Sequence, residues 1–229
     1  MRHPAVGGAG NGAGDGAAGA GAAWVTMVLS HGAGGGIDAP DLVAVAAGLP
    51  AYGVDVVLVE QPWRVAGRRL APRPDCLDPA FQAVVVHLAP STPFVVGGRS
   101  AGARVACRTG AELGAVGVLA LAFPLRPPGR PQQARTAELA AAGLPTLVVQ
   151  GARDPFGSAA DVRAAISARP PEGPDPDIRI VDVAGADHSF AVRVRDGGTA
   201  ARDHALGRAL MDVRAFLGEV AGPNRAGNT

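Results

Sequence analysis

Short apolar runs alternate with longer mixed stretches along most of the chain. Six runs stand out, at residues 24–29, 54–59, 94–96, 116–122, 146–149 and 178–183. They are rich in Val and do not alternate with polar residues. That is the pattern of strands buried on both faces, and therefore of a parallel sheet. Between the runs lie stretches of Ala, Leu, Val and Arg, at residues 41–49, 77–88, 101–113, 131–142 and 158–168, which predict helices. A last helix is predicted over residues 201–220, where Leu206, Leu210, Val213 and Leu217 recur at helical spacing. Strand–helix alternation repeated six times predicts an α/β architecture, a doubly wound and mostly parallel sheet of about six strands with right-handed crossovers. The longest connections, residues 60–75 and 124–145, are too short for a second domain.

The ends of the chain lack this pattern. Residues 1–23 hold eight glycines and almost nothing to bury, which predicts a flexible tail. Residues 24–221 are expected to form one domain, with 222–229 as a flexible C-terminus. Arg2 precedes a run of Ala and Gly, but Asn11 and Asp15 break that run and it has no Leu/Val-rich centre, so it does not read as a secretory signal. No stretch of eighteen uncharged apolar residues occurs, so no membrane span is expected. Cys76 and Cys107 make no metal motif and suggest a reduced, cytoplasmic setting. The 21 basic residues are all Arg and face 20 acidic ones, for a net charge of +1. So even a balance argues against a nucleic-acid partner recognised through bulk charge. With the abundant Ala, Gly and Pro, the absence of Lys reads as coding bias rather than chemistry.

In a doubly wound sheet, ligands bind at the carboxyl ends of the strands. The residues just past each strand are therefore the informative part of the sequence. After residues 94–96 comes Gly97-Gly98-Arg99-Ser100-Ala101-Gly102 and then a helix. Gly98 to Gly102 is G-x-S-x-G, the pattern of a nucleophile elbow. The glycines must be tiny because side chains there would collide across a tight strand-to-helix turn. The competing reading is a plain βα turn whose serine caps the helix. After residues 146–149 comes Gln150-Gly151-Ala152-Arg153-Asp154-Pro155-Phe156-Gly157. Asp154 can orient an imidazole there, or merely start a turn. After residues 178–183 comes Ala184-Gly185-Ala186-Asp187-His188-Ser189-Phe190. Taken singly, His188 reads as a surface residue. Taken together, Ser100, Asp154 and His188 come after three candidate strands in the order serine, acid, histidine, the order of the α/β-hydrolase triad. Asp187 is the alternative acid.

After residues 24–29 comes Ser30-His31-Gly32-Ala33-Gly34-Gly35-Gly36. Such a loop lets a backbone N–H point at a developing oxyanion, with the N–H of Ala101 as second donor. A dinucleotide-binding loop fits less well. Ile37 stands where a third small residue belongs, and no helix opens directly. No phosphate-binding G-x-x-x-x-G-K-[ST] is possible without Lys, and no cofactor is expected.

The segments HGAGGG, GGRSAGARVA, FPLRPPGRP, QGARDPFG and ADHSF resemble the α/β-hydrolase superfamily. More narrowly, they resemble its small dienelactone-hydrolase-related branch, which includes testis-expressed hydrolase-like proteins and a subunit of the non-specific-lethal acetyltransferase complex. The resemblance spans roughly residues 25–217. It implies a minimal α/β-hydrolase fold without a cap domain. By position it makes Ser100 the nucleophile, His188 the base, Asp154 the acid, and the Ala33 and Ala101 amides the oxyanion hole. The implied activity is a serine hydrolase, carboxylesterase-like, acting on a small-molecule acyl substrate. Dienelactone hydrolases proper carry cysteine as nucleophile, so their substrate does not transfer. The family's usual N-terminal hairpin has no counterpart, which leaves a bare sheet edge or one covered by a stray segment. The expected pocket walls are Trp63, Phe156 and Phe190, completed by His31, Gly32 and Arg99. Arg64, Arg68, Arg69 and Arg73 cluster in one loop and read as a solvated charge run, with an anionic substrate as the lesser alternative. Cys107 reads as core. Two other functions use the same residues: a non-catalytic interaction module, and an acyltransferase.

Overall fold

The six Val-rich runs become six parallel strands, as burial on both faces requires. In the computed structural model, which describes residues 1–3, 22–68, 71–72, 76–170 and 175–222, they are β2 (Val25–Ser30), β3 (Val54–Val59), β4 (Phe94–Arg99), β5 (Gly117–Leu121), β6 (Thr146–Gly151) and β7 (Ile178–Val183). Every residue of β2, β3, β5 and β6 is buried. β1 (Arg2–His3) joins the sheet antiparallel, with Arg2 opposite Val57 and His3 opposite Val56. Backbone bonds between Met1 and Leu58, in both directions, extend that pairing. The first residues of the expected tail thus cover the β3 edge, while 4–21 and 223–229 lie outside the described residues. The sheet order is β1-β3-β2-β4-β5-β6-β7. The chain runs from β2 out to β3 and returns past β2 to lay down β4. The order therefore reverses at β2 and β4, where a ligand crevice is expected at the strand ends.

Helices cover both faces. α1 (Pro40–Gly48) and α7 (Gly198–Ala221) pack one face, placing Leu42, Val45, Val213, Phe216 and Leu217 on Met27 and Leu29. On the other face lie α2 (Pro62–Val65), α3 (Leu77–Leu88), α4 (Ala101–Thr109), α5 (Thr136–Ala140) and α6 (Ala159–Ser167). Their Phe81, Val85, Val105, Leu139 and Val162 join Val28, Val96, Val118 and Val148. Met27 and Leu29 point one way and Val28 the other, the period-two alternation of a pleated strand. Each fully buried side chain of this size contributes about 1.5–3 kcal/mol. Cys107 is buried in the second layer, and burial pushes its thiol up to about 12.

The helix predicted over 131–142 is broken. A single turn, Pro131–Gln133, is followed by extended Ala134 (φ −64°, ψ 141°) before α5 begins. The Arg135 N–H goes to the Leu125 carbonyl at 2.7 Å instead of one turn back, tying this segment to the end of β5. Among the described residues no helix is long and apolar enough to cross a membrane.

Candidate active site

The crevice is built from four strand ends. At the end of β4, Ser100 takes φ 53° and ψ −108°, a left-handed conformation that non-glycine residues avoid. A Cβ on Gly98 or on Gly102 would fall onto the Ser30 carbonyl oxygen, so β2 passes against the turn only because both are glycine. Ser100 stands at the N-terminus of α4 but its side chain does not cap that helix. Its Oγ lies 2.9 Å from His188 Nε2 instead.

At the end of β6 the chain turns through Asp154, which is 4% exposed. Its Oδ1 accepts the Phe156 N–H at 2.8 Å, and its Oδ2 accepts from Gln150 Nε2 at 2.9 Å and from His188 Nδ1 at 2.7 Å. Because the carboxylate only accepts, Nδ1 carries the imidazole proton and Nε2 is free to accept from the Ser100 hydroxyl. Gln150 also donates to the Phe123 and Gly157 carbonyls, at 3.2 and 2.6 Å.

His188 comes after β7 in a turn held by Asp187, whose Oδ1 accepts the Ser189 and Ala191 N–H groups at 2.8 and 3.0 Å. The two neighbouring acids thus divide their work: Asp154 meets the imidazole and Asp187 closes the turn. Gly151 lets this turn approach β6, since a Cβ there would stand 2.5 Å from the Ala186 carbonyl. The Phe156 ring lies 4.3 Å from that of His188, tilted by 36°. Arg99 Nη2 donates to the His188 carbonyl at 2.7 Å, and Arg99 Nε lies 3.3 Å from Asp41. Burial pushes the Asp41 carboxyl up, and Arg99 partly offsets it.

An open cleft of about 410 Å³ lies over Ser100, and Ala33, Ala101, Arg99, Phe156 and His188 all line it. The other expected wall residues lie elsewhere. His31 is fully buried, its Nδ1 bonded to the Gly32 carbonyl at 2.8 Å and its Nε2 accepting the Gln61 N–H at 2.9 Å. Burial holds that imidazole below its usual value, and accepting the Gln61 N–H at Nε2 requires the neutral ring. Gly32 is buried beneath the nucleophile, where a Cβ would meet Ser100 Cβ at 3.1 Å. Trp63 is 3% exposed and packs edge-on against His31, with ring centroids 5.3 Å apart. Phe190, at φ 54°, turns fully into the core behind the His188 turn. Arg64 and Arg68 are exposed and off the cleft, while Arg69 and Arg73 lie outside the described residues. Five lining residues were not among the expected site residues: Gly34, Arg104, Pro124, Arg135 and Ser189. Arg104 had a signal, since four residues past Ser100 on a helix is the same face. Gln150 had one too, as an amide in an otherwise apolar buried run. A larger groove of about 570 Å³ lies between β7 and α7 and holds none of Ser100, Asp154 or His188.

A serine on a strained strand-to-helix turn, hydrogen-bonded to histidine and through it to a buried aspartate, has the form of a nucleophile elbow. The sequence model of the alpha/beta hydrolase domain family matches residues 23–218. The chain belongs to the α/β-hydrolase family. Solved structures agree on the architecture. A lidless α/β serine hydrolase from Xanthomonas campestris superposes with a TM-score of 0.60 at 19% identity, covering 91% of this chain and 85% of that one. Est1E from Butyrivibrio proteoclasticus, with ferulic acid bound, gives 0.62 at 15% identity, covering 85% and 88%. A thioesterase of the prodiginine biosynthetic pathway in Streptomyces coelicolor gives 0.52 at 16%, covering 83% and 86%. At such identities the likeness is one of fold. No curated protein matches the sequence. This α/β-hydrolase has no cap domain among its described residues, and the β5–β6 connection that would carry one holds only the broken helix.

Proposed function

We propose that the protein is a serine hydrolase that cleaves an ester-type acyl bond of a small molecule through an acyl-enzyme. One observation carries the reading: the continuous chain from Asp154 through His188 to Ser100, at 2.7 and 2.9 Å, ending in an open cleft. In this scheme His188 Nε2 takes the Ser100 proton as Oγ attacks the carbonyl carbon. The Ala33 and Ala101 N–H groups receive the oxyanion, and one such donor is typically worth about 2.7–4 kcal/mol. The acyl–oxygen bond then breaks, and His188 returns the proton to the leaving alcohol. Water attacks the acyl-enzyme by the same route and releases the acid. Asp154 holds the tautomer and stabilises the imidazolium. Nothing in the scheme calls for a cofactor, and transfer to an alcohol instead of water would use the same residues. Within the superfamily, the segments HGAGGG, GGRSAGARVA, FPLRPPGRP, QGARDPFG and ADHSF support membership of the small dienelactone-hydrolase-related branch. The same resemblance favours a carboxylesterase role, while the two cysteines without a metal motif and the balance of 21 basic against 20 acidic residues favour a cytoplasmic setting without a nucleic-acid partner.

Labelling by a fluorophosphonate probe, read by intact mass, tests the reading. One adduct is expected on the wild type and none on Ser100→Ala. Short-chain esters should be hydrolysed, and Asp154→Asn should cost on the order of 10⁴-fold in kcat. A folded wild type that takes no adduct would sink the proposal and favour an interaction module.

A further inference from the structure

The cleft over Ser100 is lined by three guanidinium groups, Arg99, Arg104 and Arg135, and by no carboxylate. Two of the three are neutralised from behind. Arg104 forms a two-pronged pair with Glu138, both contacts 2.8 Å. Arg99 lies 3.3 Å from Asp41 and is bonded to the His188 carbonyl. Arg135 is different. Its Nη1 donates to the Pro124 carbonyl at 2.5 Å, and among the described residues no carboxylate lies within ion-pair distance of it. Glu138 is nearby but engaged, by Arg104 and by Arg108 at 3.1 Å. Arg108 has its own partner in Asp78, at 2.6 Å.

The charges therefore close in pairs, except for one positive charge on Arg135. A guanidinium offers five N–H donors in a rigid fork, and the protein engages little of this one. Burial and the neighbouring Arg104 charge hold Arg135 below the usual arginine value, a penalty that a bound anion would relieve. A carboxylate brings a single negative charge and two oxygens matched to the fork. A phosphate dianion would overfill one uncompensated charge.

We propose that Arg135, flanked by Arg104, is an anion-binding subsite of this cleft, and that the acyl substrate carries a carboxylate remote from the scissile ester. The inference rests on the acyl-hydrolase reading above. The reaction would hydrolyse a half-ester of a dicarboxylic acid. Ser100 Oγ displaces the alcohol, which leaves with the proton from His188, and one water releases the diacid. Because the remote carboxylate does not react, its contact with Arg135 should act mainly through KM.

Methanol release from monomethyl glutarate and from dimethyl glutarate separates the possibilities. The wild type should favour the half-ester in kcat/KM. Arg135→Gln should lower the half-ester to diester ratio by about 10- to 100-fold, the scale of a charge-assisted hydrogen bond. Arg135→Lys keeps the charge and should retain part of the ratio. A wild type that hydrolyses both esters without preference would overturn the subsite and leave the hydrolase reading standing. So would an equal loss on both esters in Arg135→Gln, which would assign Arg135 to holding the Pro124 segment. Calorimetry on Ser100→Ala tests the subsite without turnover. Monomethyl glutarate should bind, and adding Arg135→Gln should abolish the binding; failure of either overturns the subsite. If that binding is seen but wild-type Ser100 takes neither ester nor probe, the subsite stands and the hydrolase reading falls.

Discussion

The turn after β4 and the turn after β6 each present a side chain to His188, one through steric confinement and the other through hydrogen bonds. In the first, Ser100 is held at φ 53° between Gly98 and Gly102, and both glycines lie against the Ser30 carbonyl. Among the described residues, the only hydrogen bond to the Ser100 side chain is the one to His188. In the second, Asp154 receives the Phe156 N–H and the Gln150 amide, and that amide also binds two carbonyls. A sterically confined turn tolerates no added volume. A hydrogen-bonded turn tolerates no lost donor. The difference has a chemical sense: the nucleophile must stay free to exchange its proton, whereas a buried carboxylate needs donors to remain charged.

The largest effect is expected where volume is added to the first turn. In Gly102→Ala the new methyl would fall onto the Ser30 carbonyl oxygen and lie 2.6 Å from Ser30 Oγ. Neither β2 nor α4 can retreat without opening the core. Urea denaturation should show a loss of about 3 kcal/mol or more, at the upper end for overpacking, with probe labelling of Ser100 gone. Gly207→Ala is the control. It lies inside α7 with open space around it, and should stabilise by about 0.5–1 kcal/mol. If both substitutions are neutral, steric confinement of the elbow is wrong.

The second turn should break by polarity at nearly constant volume. Gln150→Leu leaves the Gly157 carbonyl without its side-chain donor, leaves the Phe123 carbonyl only the Leu125 N–H, and takes one bond from Asp154. Buried groups left in this way make the expected loss about 2 kcal/mol. Ester turnover should fall as well, because the carboxylate is then held only by the Phe156 N–H and His188. Unchanged stability in Gln150→Leu would mean that water replaces the amide and that the turn is not held as argued.

The same contrast explains what could be read before the structure. Position after a buried strand tells which end of the sheet a residue occupies, so the placement of Ser100, Asp154 and His188 was legible in residue order and strand pattern. Position does not tell which way a side chain points. Phe190 comes after the same strand as His188, yet a left-handed backbone turns it into the core. Trp63 and His31 are buried against each other and do not line the cleft. Arg135 falls in a stretch with a helical pattern, but extended Ala134 and the bonds of Arg135 to the Leu125 and Pro124 carbonyls place it at the cleft. β1 had no periodicity to announce it, since two residues pairing with an edge carry none.

The smallest effect isolates the backbone of the first turn. Ser100→Ala and Ser100→Gly both remove the nucleophile, and their difference reports the cost of φ 53° and ψ −108°. Alanine keeps the strained conformation, worth about 1–3 kcal/mol. Glycine relieves it but has more freedom to lose on folding, about 0.5–1 kcal/mol. The net expectation is Ser100→Gly more stable than Ser100→Ala by about 1 kcal/mol in urea denaturation. An alanine variant as stable as the glycine one would mean that the elbow is relaxed, and that the glycines flanking Ser100 serve packing against β2 rather than the strained turn.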